Sequence, residues 1–318
     1  MTSTKKTLLL LDGHNIYIRA FSGLAKQDLR NADGIGTWGA YGTVNTIASM
    51  VRRFEPTHVL LAFDQGRSSK RLAIDPEYKA NRNRKKEEKK EGDVFEDEFR
   101  PQLELTFEFC KRMGIPHLRL SNVEADDIIA KAVTAFGSSF DQVVIVSADH
   151  DIRQLIRENV VVVKPSLGQK NIVEEIFDME AIREEWGVDP WRLPEIWSLM
   201  GDKGDNIQGI PGIGPKKATK LIADYGSLDK VLSSDDPKIV DHINTVKKAL
   251  SLIELKGLDD IPFPPLGNLQ FNPVTPDTPV HGDRLLKLIE YFNLTSIKDR
   301  WLKGTLWSKE PTFGKGLL

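Results

Sequence analysis

TLLLLD, residues Thr7 to Asp12, is a continuous apolar run closed by a carboxylate. HVLLAFD (58–64) and VVIVSAD (143–149) have the same form, closed by Asp64 and Asp149. Runs of this length that are apolar throughout read as strands buried on both faces, as in a parallel sheet. NVVVV (159–163) reads as a fourth strand. Helical patterns lie between them. In residues 40–54, Val44, Ile47, Ala48 and Val51 follow the i, i+3, i+4, i+7 spacing of an amphipathic helix, and Ile128, Ile129, Ala132, Val133 and Phe136 do much the same in residues 124–136. Strands alternating with helices predict an α/β fold with a central, mostly parallel sheet flanked by helices. Such a sheet binds ligands at the carboxyl ends of its strands, where all three aspartates fall.

The 318 residues can bury a sizeable core, in one large domain or two modest ones. Composition is that of an ordinary globular protein, 40% hydrophobic and 28% charged with a formal net charge of -2, and the balance alone does not suggest a nucleic-acid partner. The distribution does more: Arg67 to Lys90 carries ten Lys/Arg against four Asp/Glu. A single cysteine, Cys110, excludes an intrachain disulfide and a Cys-based metal site, and its helical setting FEFCKRMG predicts burial. No apolar run approaches the roughly 18 residues needed to span a membrane. Residues 1–7 lack the apolar core of a signal peptide, so a reducing, cytoplasmic setting without a membrane partner is expected.

Residues 79–112 break the strand–helix rhythm with a long charged stretch, KANRNRKKEEKKEGDVFEDEFRPQ, running into a helix-like LELTFEFCKRM. Taken alone, this is a solvated charged insertion. Between Pro262 and Pro279 six prolines predict an extended or loop-like segment, followed by a short amphipathic helix at about 283–293 and a tail without clear pattern. No internal repeat is present.

Nine carboxylates stand out: Asp12, Asp64, Glu124, Asp126, Asp127, Asp149, Asp151, Asp202 and Asp205. Singly, each has a plain explanation. The acids of VEADD suit a helix N-terminus, and Asp149 suits a strand-ending turn. Together they weaken that explanation, because the topology brings several of them to one edge of one sheet, where uncompensated carboxylates repel. Divalent cations resolve that conflict. Oxygen-only ligation, with His14 and His150 read as hydrogen-bonding neighbours, points to Mg²⁺ or Mn²⁺ rather than Zn²⁺. Two such cations about 3.5–4 Å apart are the usual apparatus for cleaving phosphodiesters.

GDKGDNIQGIPGIGPKK (201–217) begins with two aspartates suited to a cation and ends glycine-rich with two lysines suited to an anion. No strand precedes these glycines and their spacing is GxxGxG, so a dinucleotide fold is disfavoured.

LLLLDGHN, LLAFDQG, PEYKANR, VEADDIIA, VSADHDIRQL and GDKGDNIQGIPGIGPKKATKLI, in this order over about residues 7–257, resemble the 5′ nucleases, or flap endonucleases. That family comprises bacteriophage enzymes and the N-terminal domain of bacterial DNA polymerase I. RLLKLIEYFNLTSIKDRW is similar to the final helix of the polymerase-associated nuclease domain. The resemblance implies a PIN-like nuclease core over residues 1–196, with a helical arch at about 79–112. It further implies a helix–three-turn–helix module over 197–257, leaving 258–318 as a Pro-rich segment, short helix and tail. It implies that Asp12, Asp64, Glu124 and Asp126 serve a first metal ion, and that Asp127, Asp149, Asp151, Asp202 and Asp205 serve or support a second.

Lys79 and Arg82 are implied to grip the scissile phosphate and stabilise charge developing on it. Tyr78, and less strongly Tyr41, is expected to stack on a terminal base. Lys85, Lys86, Lys89 and Lys90 of the arch are expected to hold backbone phosphates of a 5′ single strand. Gly212 and Gly214 would let backbone N–H groups approach a duplex phosphate at a helix N-terminus, aided by Lys216, Lys217 and Lys220, and the hairpin can take K⁺.

The implied activity is a Mg²⁺-dependent 5′-3′ exonuclease and 5′-flap endonuclease. Its expected partners are branched, flapped or nicked DNA, an RNA–DNA hybrid in primer removal, and a separate polymerase or other replication protein. A monomer in a bacterial or phage-infected cytoplasm is expected. The competing reading is a non-catalytic junction binder on the same fold, against which the full acid set argues. A phosphatase with a paired-aspartate motif is set aside, because its second acid would fall on His14.

Overall fold

The computed structural model describes residues 5–82, 94–167, 172–256 and 258–308. Six strands, β1 (Thr7–Asp12), β2 (His58–Phe63), β3 (His117–Arg119), β4 (Gln142–Val146), β5 (Val160–Leu167) and β6 (Ile172–Phe177), form one sheet in the order β3–β2–β1–β4–β5–β6. The first five run parallel, and β6 closes the edge antiparallel to β5.

The apolar runs follow from burial on both faces. Leu8 and Leu10 point to one side with Leu60, Ala62, Val143 and Ile145, while Leu9 and Leu11 point to the other with Val59, Leu61, Val144 and Val146. All twelve are fully buried. Each such leucine contributes about 1.5–3 kcal/mol relative to exposure, so none of the four leucines of β1 tolerates a polar replacement without loss.

Helices cover both faces. On the side of Leu9 lie α1 (Gly13–Leu24), α2 (Trp38–Phe54) and α4 (Val94–Arg112), whose Cys110 is buried as expected, its thiol pushed up to about 12 by desolvation. On the side of Leu8 lie α5 (Ala125–Phe136), α6 (Met179–Trp186), α7 (Leu193–Met200) and a helical group α8 (Pro215–Tyr225), α9 (Leu228–Leu232), α10 (Pro237–Val240) and α11 (Ile243–Ile253). A short helix α3 (Ser69–Ile74) follows β2.

The proline-rich segment is a strap rather than a free loop. Its Phe271 N–H donates to the Thr57 carbonyl at 3.0 Å, and Val274 N–H donates to the Met113 carbonyl at 2.9 Å. Close passage at Gly114 (φ +75°) leaves a Cβ only 3.1 Å from the Val274 nitrogen. Beyond the strap the chain makes two helices where the sequence suggested one followed by an unpatterned tail: α12 (His281–Tyr291) and α13 (Thr295–Leu302), broken at Asn293 in the left-handed region (φ 54°). Both return to the Leu9 face, where Trp301 is buried and its Nε1–H donates to the Val274 carbonyl at 2.9 Å.

Strand order reverses between β1 and β4, and the crevice outside the carboxyl ends of neighbouring strands opens there. Asp12, Asp64 and Asp149 all stand at this edge.

Candidate metal centre and nucleic-acid interface

Asp12 ends β1 and caps α1, accepting a hydrogen bond from the Asn15 N–H at 3.0 Å and another from the Ser147 hydroxyl, across the β1–β4 crevice, at 2.8 Å. Its carboxyl is buried, and desolvation, with Asp64 next in weight, raises its pKa to about 8. Asp64 accepts from the Ala125 N–H at the start of α5 at 2.6 Å, so a free helix N-terminus compensates one of these acids.

The VEADD acids then enter from α5. Glu124 is buried and gathers three donors on one oxygen: the Lys79 ammonium at 2.9 Å, the Tyr78 hydroxyl at 3.0 Å and the Arg71 guanidinium at 3.3 Å. Burial raises its pKa and Asp126 adds to this, while Lys79 and Arg71 oppose it.

Asp127 departs from expectation. Both of its carboxylate oxygens are held by Arg71, at 2.7 and 3.0 Å, on the buried side of the helix. Asp127 thus anchors Arg71, and it is not among the acids whose oxygens lie within 4.8 Å of one another at the second group. Burial, with Asp126 second, raises its pKa to about 6 despite that partner.

Arg71 was not singled out in the sequence. It donates to Asp127 and Glu124, and through Nε to the Leu252 carbonyl near the end of α11 at 2.8 Å, while itself buried. Only its membership of the basic stretch signalled it.

The second group comes from two loops. Carboxylate oxygens of Asp151, Asp202 and Asp205 lie within 4.8 Å of one another, and those of Asp149 and Asp151, together with a His150 ring nitrogen, form a second set within the same limit. Burial raises the Asp151 pKa well above the ordinary range, with Asp149, Asp126, Asp205 and Asp202 all contributing in the same direction. The Asp126 charge is thus felt by both groups of acids.

Asp202 and Asp205 are placed by a tight hairpin of β7 (Gly201–Asp202) and β8 (Ile207–Gln208). At its base the backbones cross so closely that a Cβ on Gly201 would stand 2.3 Å from the Gly209 nitrogen, and one on Gly209 would stand 2.1 Å from the Met200 carbonyl carbon. These two positions admit glycine alone.

The hairpin is stitched to the PEYKANR segment. Lys79 N–H donates to the Asp205 carbonyl at 2.9 Å, Asn206 Nδ2 donates to the Glu77 carbonyl at 2.8 Å, and Asn81 Nδ2 donates to the Lys203 carbonyl at 2.8 Å. Lys79 (φ 57°) and Asn206 (φ 60°) both occupy the left-handed region, which asparagine tolerates and lysine does not. Strain of this kind persists where surrounding contacts over-determine it.

Lys79 and Arg82 stand at the acids with their cationic groups turned onto carboxylates: Lys79 Nζ lies 2.9 Å from Glu124 and 3.6 Å from Asp205, and Arg82 pairs with Asp205. Burial works against the Lys79 charge, but Glu124, Asp126 and Asp205 more than offset it and hold its pKa above the ordinary lysine range. Tyr78, expected to stack on a base, is 2% exposed, and its hydroxyl serves Glu124 and, at 3.4 Å, Asp205. No ring face is free for a base, because the ring packs into the core beside α5. Tyr41 packs against α2's side of the core, its hydroxyl 3.1 Å from that of Ser296. Lys85, Lys86, Lys89 and Lys90 lie outside the described residues. Gly212 (φ +76°) turns the chain into Gly214, the N-cap of α8, and Lys216, Lys217 and Lys220 are exposed around that helix start.

Apart from the His150 ring nitrogen the donors are carboxylates, with Asp12, Glu124 and Asp151 raised in pKa by burial and then by neighbouring acids, and the set fits hard divalent cations.

Residues 7–187 match the family model of the 5′-3′ exonuclease N-terminal, resolvase-like domain, and residues 188–261 match that of the 5′-3′ exonuclease C-terminal SAM fold. A 5′-3′ exonuclease of Aquifex aeolicus is 33% identical over 229 residues, 72% of this chain and 73% of that protein. DNA polymerase I of Mycobacterium tuberculosis strain H37Rv is 33% identical over 304 residues, 93% of this chain and 31% of the polymerase. The chain thus spans about a third of the length of the polymerase relatives it matches. Among solved structures, T5 5′-exonuclease with bound zinc superposes with a TM-score of 0.68 at 23% identity, covering 95% of this chain and 98% of that one. A complex of the bacteriophage T5 flap endonuclease with DNA and metal ions gives 0.68 at 22% identity with the same coverage. At these identities the likeness is one of fold.

Proposed function

The chain belongs to the 5′-3′ exonuclease family, and we propose that it is a Mg²⁺-dependent 5′-3′ exonuclease and structure-specific 5′-flap endonuclease that cuts near single-strand/duplex junctions. The observation that carries this reading is the gathering of acids at and beyond the strand ends, with carboxylate oxygens of Asp151, Asp202 and Asp205 within 4.8 Å of one another. A pure binding protein has no use for such destabilising crowding.

Asp12, Asp64, Glu124 and Asp126 would hold one divalent cation, and Asp149, Asp151, Asp202 and Asp205 a second, with Mg²⁺ or Mn²⁺ as the ions. Bound there, they supply an activated water and charge neutralisation on the leaving oxygen. The chain's own groups do the rest. Lys79 and Arg82 exchange their carboxylates for the non-bridging oxygens of the scissile phosphate, placing two positive charges where negative charge develops. Ser147 and Asn15 hold Asp12 at a fixed orientation by hydrogen bonds of 2.8 and 3.0 Å. Gly212, Gly214 and the exposed lysines of α8 grip a duplex phosphate further along, with K⁺ as an additional hairpin ligand. The hairpin that carries Asp202 and Asp205 leads directly into that grip, which fixes the distance between grip and cut.

The substrate class is flapped, nicked or overhanging DNA, with the RNA strand of a hybrid as a further substrate in primer removal during replication or repair. The chain would act as a monomer in the cytoplasm, in concert with a polymerase. A cleavage panel of flap, nick, overhang and RNA–DNA hybrid in Mg²⁺, with cut sites mapped, tests this. Cuts clustered at the junction support the reading. Junction binding with no metal-dependent cleavage would instead establish a non-catalytic binder.

A further inference from the structure

Asp12 ends β1, Asp64 follows β2 and Asp149 follows β4, whereas β3, next to β2 in the sheet, ends in Arg119. Arg119 lies in register with Phe63, the residue before Asp64, and so stands on the Asp64 side of the site, under α4. Its guanidinium packs over Phe107 at 5.3 Å and makes a two-pronged contact with Glu104 of α4, at 2.6 and 2.7 Å. Glu104 holds its pKa above the ordinary arginine range, with the Asp64 charge adding to the effect.

Two features make this pair more than a surface bridge. Glu104 is 61% exposed, so the pair contributes no more than about 1 kcal/mol to stability and is easily exchanged. In addition, the buried Nε–H of Arg119 and the buried Nδ1 of His14 have no hydrogen-bond partner among the described residues. His14 opens α1 within Coulombic reach of both Asp64 and Arg119 and packs edge-on to Phe99 of α4 at 6.3 Å. Besides Lys79 and Arg82, the surroundings of Asp64 and His14 thus include a planar guanidinium held by an exchangeable carboxylate.

We propose that Arg119 is a second phosphate-binding subsite, which takes a phosphate of the cut strand adjacent to the scissile one in place of Glu104. A guanidinium that already presents a two-pronged face to a carboxylate offers the same geometry to a phosphodiester. Phe107 and α4 fix the plane of the guanidinium. The inference rests on the nuclease reading for its substrate, but its test does not need cleavage.

Affinity for a labelled 5′-flap DNA is measured by fluorescence anisotropy in EDTA, for wild type, Arg119→Gln, Arg119→Lys and Glu104→Gln. Flaps carrying one uncharged methylphosphonate at each linkage around the junction are measured alongside. Arg119→Gln should raise Kd about tenfold, as for loss of one charge-assisted two-pronged contact. Arg119→Lys should fall between, and Glu104→Gln should lower Kd by removing the competitor. One methylphosphonate position should weaken wild type yet leave Arg119→Gln unaffected. The subsite is overturned if Arg119→Gln binds like wild type, if Glu104→Gln weakens binding as Arg119→Gln does, or if the Arg119→Gln defect is the same at every linkage. A protein that passes this test yet cuts nothing in Mg²⁺ would overturn the nuclease reading alone.

Discussion

Arg71 meets Asp127 and Glu124 in one buried knot, and Lys79 meets Glu124 and Asp205 beside it. Removing one partner from a buried ion cluster costs more than the cluster contributes, because the remaining charges stay desolvated. Arg71→Met should therefore lower stability by about 3–5 kcal/mol in urea denaturation. A loss below about 1 kcal/mol would show that the three acids of α5 find compensation elsewhere. Lys79 has a different task. Lys79→Ala should reduce turnover about a hundredfold while duplex affinity changes severalfold, since its charge is placed for the transition state. Equal losses in both measurements would make it a plain phosphate contact. Asp127→Asn and Asp149→Ala separate the two classes of acid. The first should act on stability, while the second should abolish cleavage and leave DNA binding in place.

At the scale of elements, β1, β2 and β4 were legible because burial on both faces leaves an uninterrupted apolar run. β3 has only three residues, all partly buried, and so leaves no pattern to read. β6 reads IVEEIF, whose adjacent glutamates fall on opposite faces, the Glu174 side chain buried and Glu175 exposed, and so it leaves no alternation to read. The strand-end acids were legible for the same reason as the strands. Arg71 was not, because a buried charge leaves no periodic trace and its partners are distant in sequence: Asp127 and Leu252 lie 56 and 181 residues away. Tyr78, next to Lys79, is expected from the resemblance to stack on a base, but its hydroxyl is drawn inward by Glu124, a partner 46 residues away that leaves no trace in the local sequence. The C-terminal helices carry the remaining test at this scale. Trp301→Ala should cost about 3–5 kcal/mol if the strap and α13 belong to the core, read by thermal or chemical denaturation. A loss under about 1 kcal/mol would make them a loosely held appendage.

For the whole molecule, the crowded acids link stability to pH and to cations. Asp12 and Asp127 have folded-state pKa values raised to about 8 and about 6. Groups raised in this way bind protons more tightly in the folded chain than in the unfolded one. Their contribution is therefore complete below about pH 4 and is lost as pH rises through about 6 and about 8. The melting temperature in EDTA should fall across that window, and Mg²⁺ or Mn²⁺ should restore it most at the alkaline end, because the cation binds the ionised acids. Scanning calorimetry with and without divalent cation checks both signs, and a metal effect that is flat with pH would contradict the linkage. The central claim is that these acids hold divalent cations that cut DNA at a junction, and one measurement tests it most directly: cleavage of a labelled 5′-flap by wild type and Asp202→Ala over a Mg²⁺ titration from EDTA upward. The account predicts junction-proximal cutting by wild type that appears only with Mg²⁺, and at least about a hundredfold less by Asp202→Ala despite undiminished binding. Cutting that persists in EDTA, or near wild-type cutting by Asp202→Ala, would contradict it.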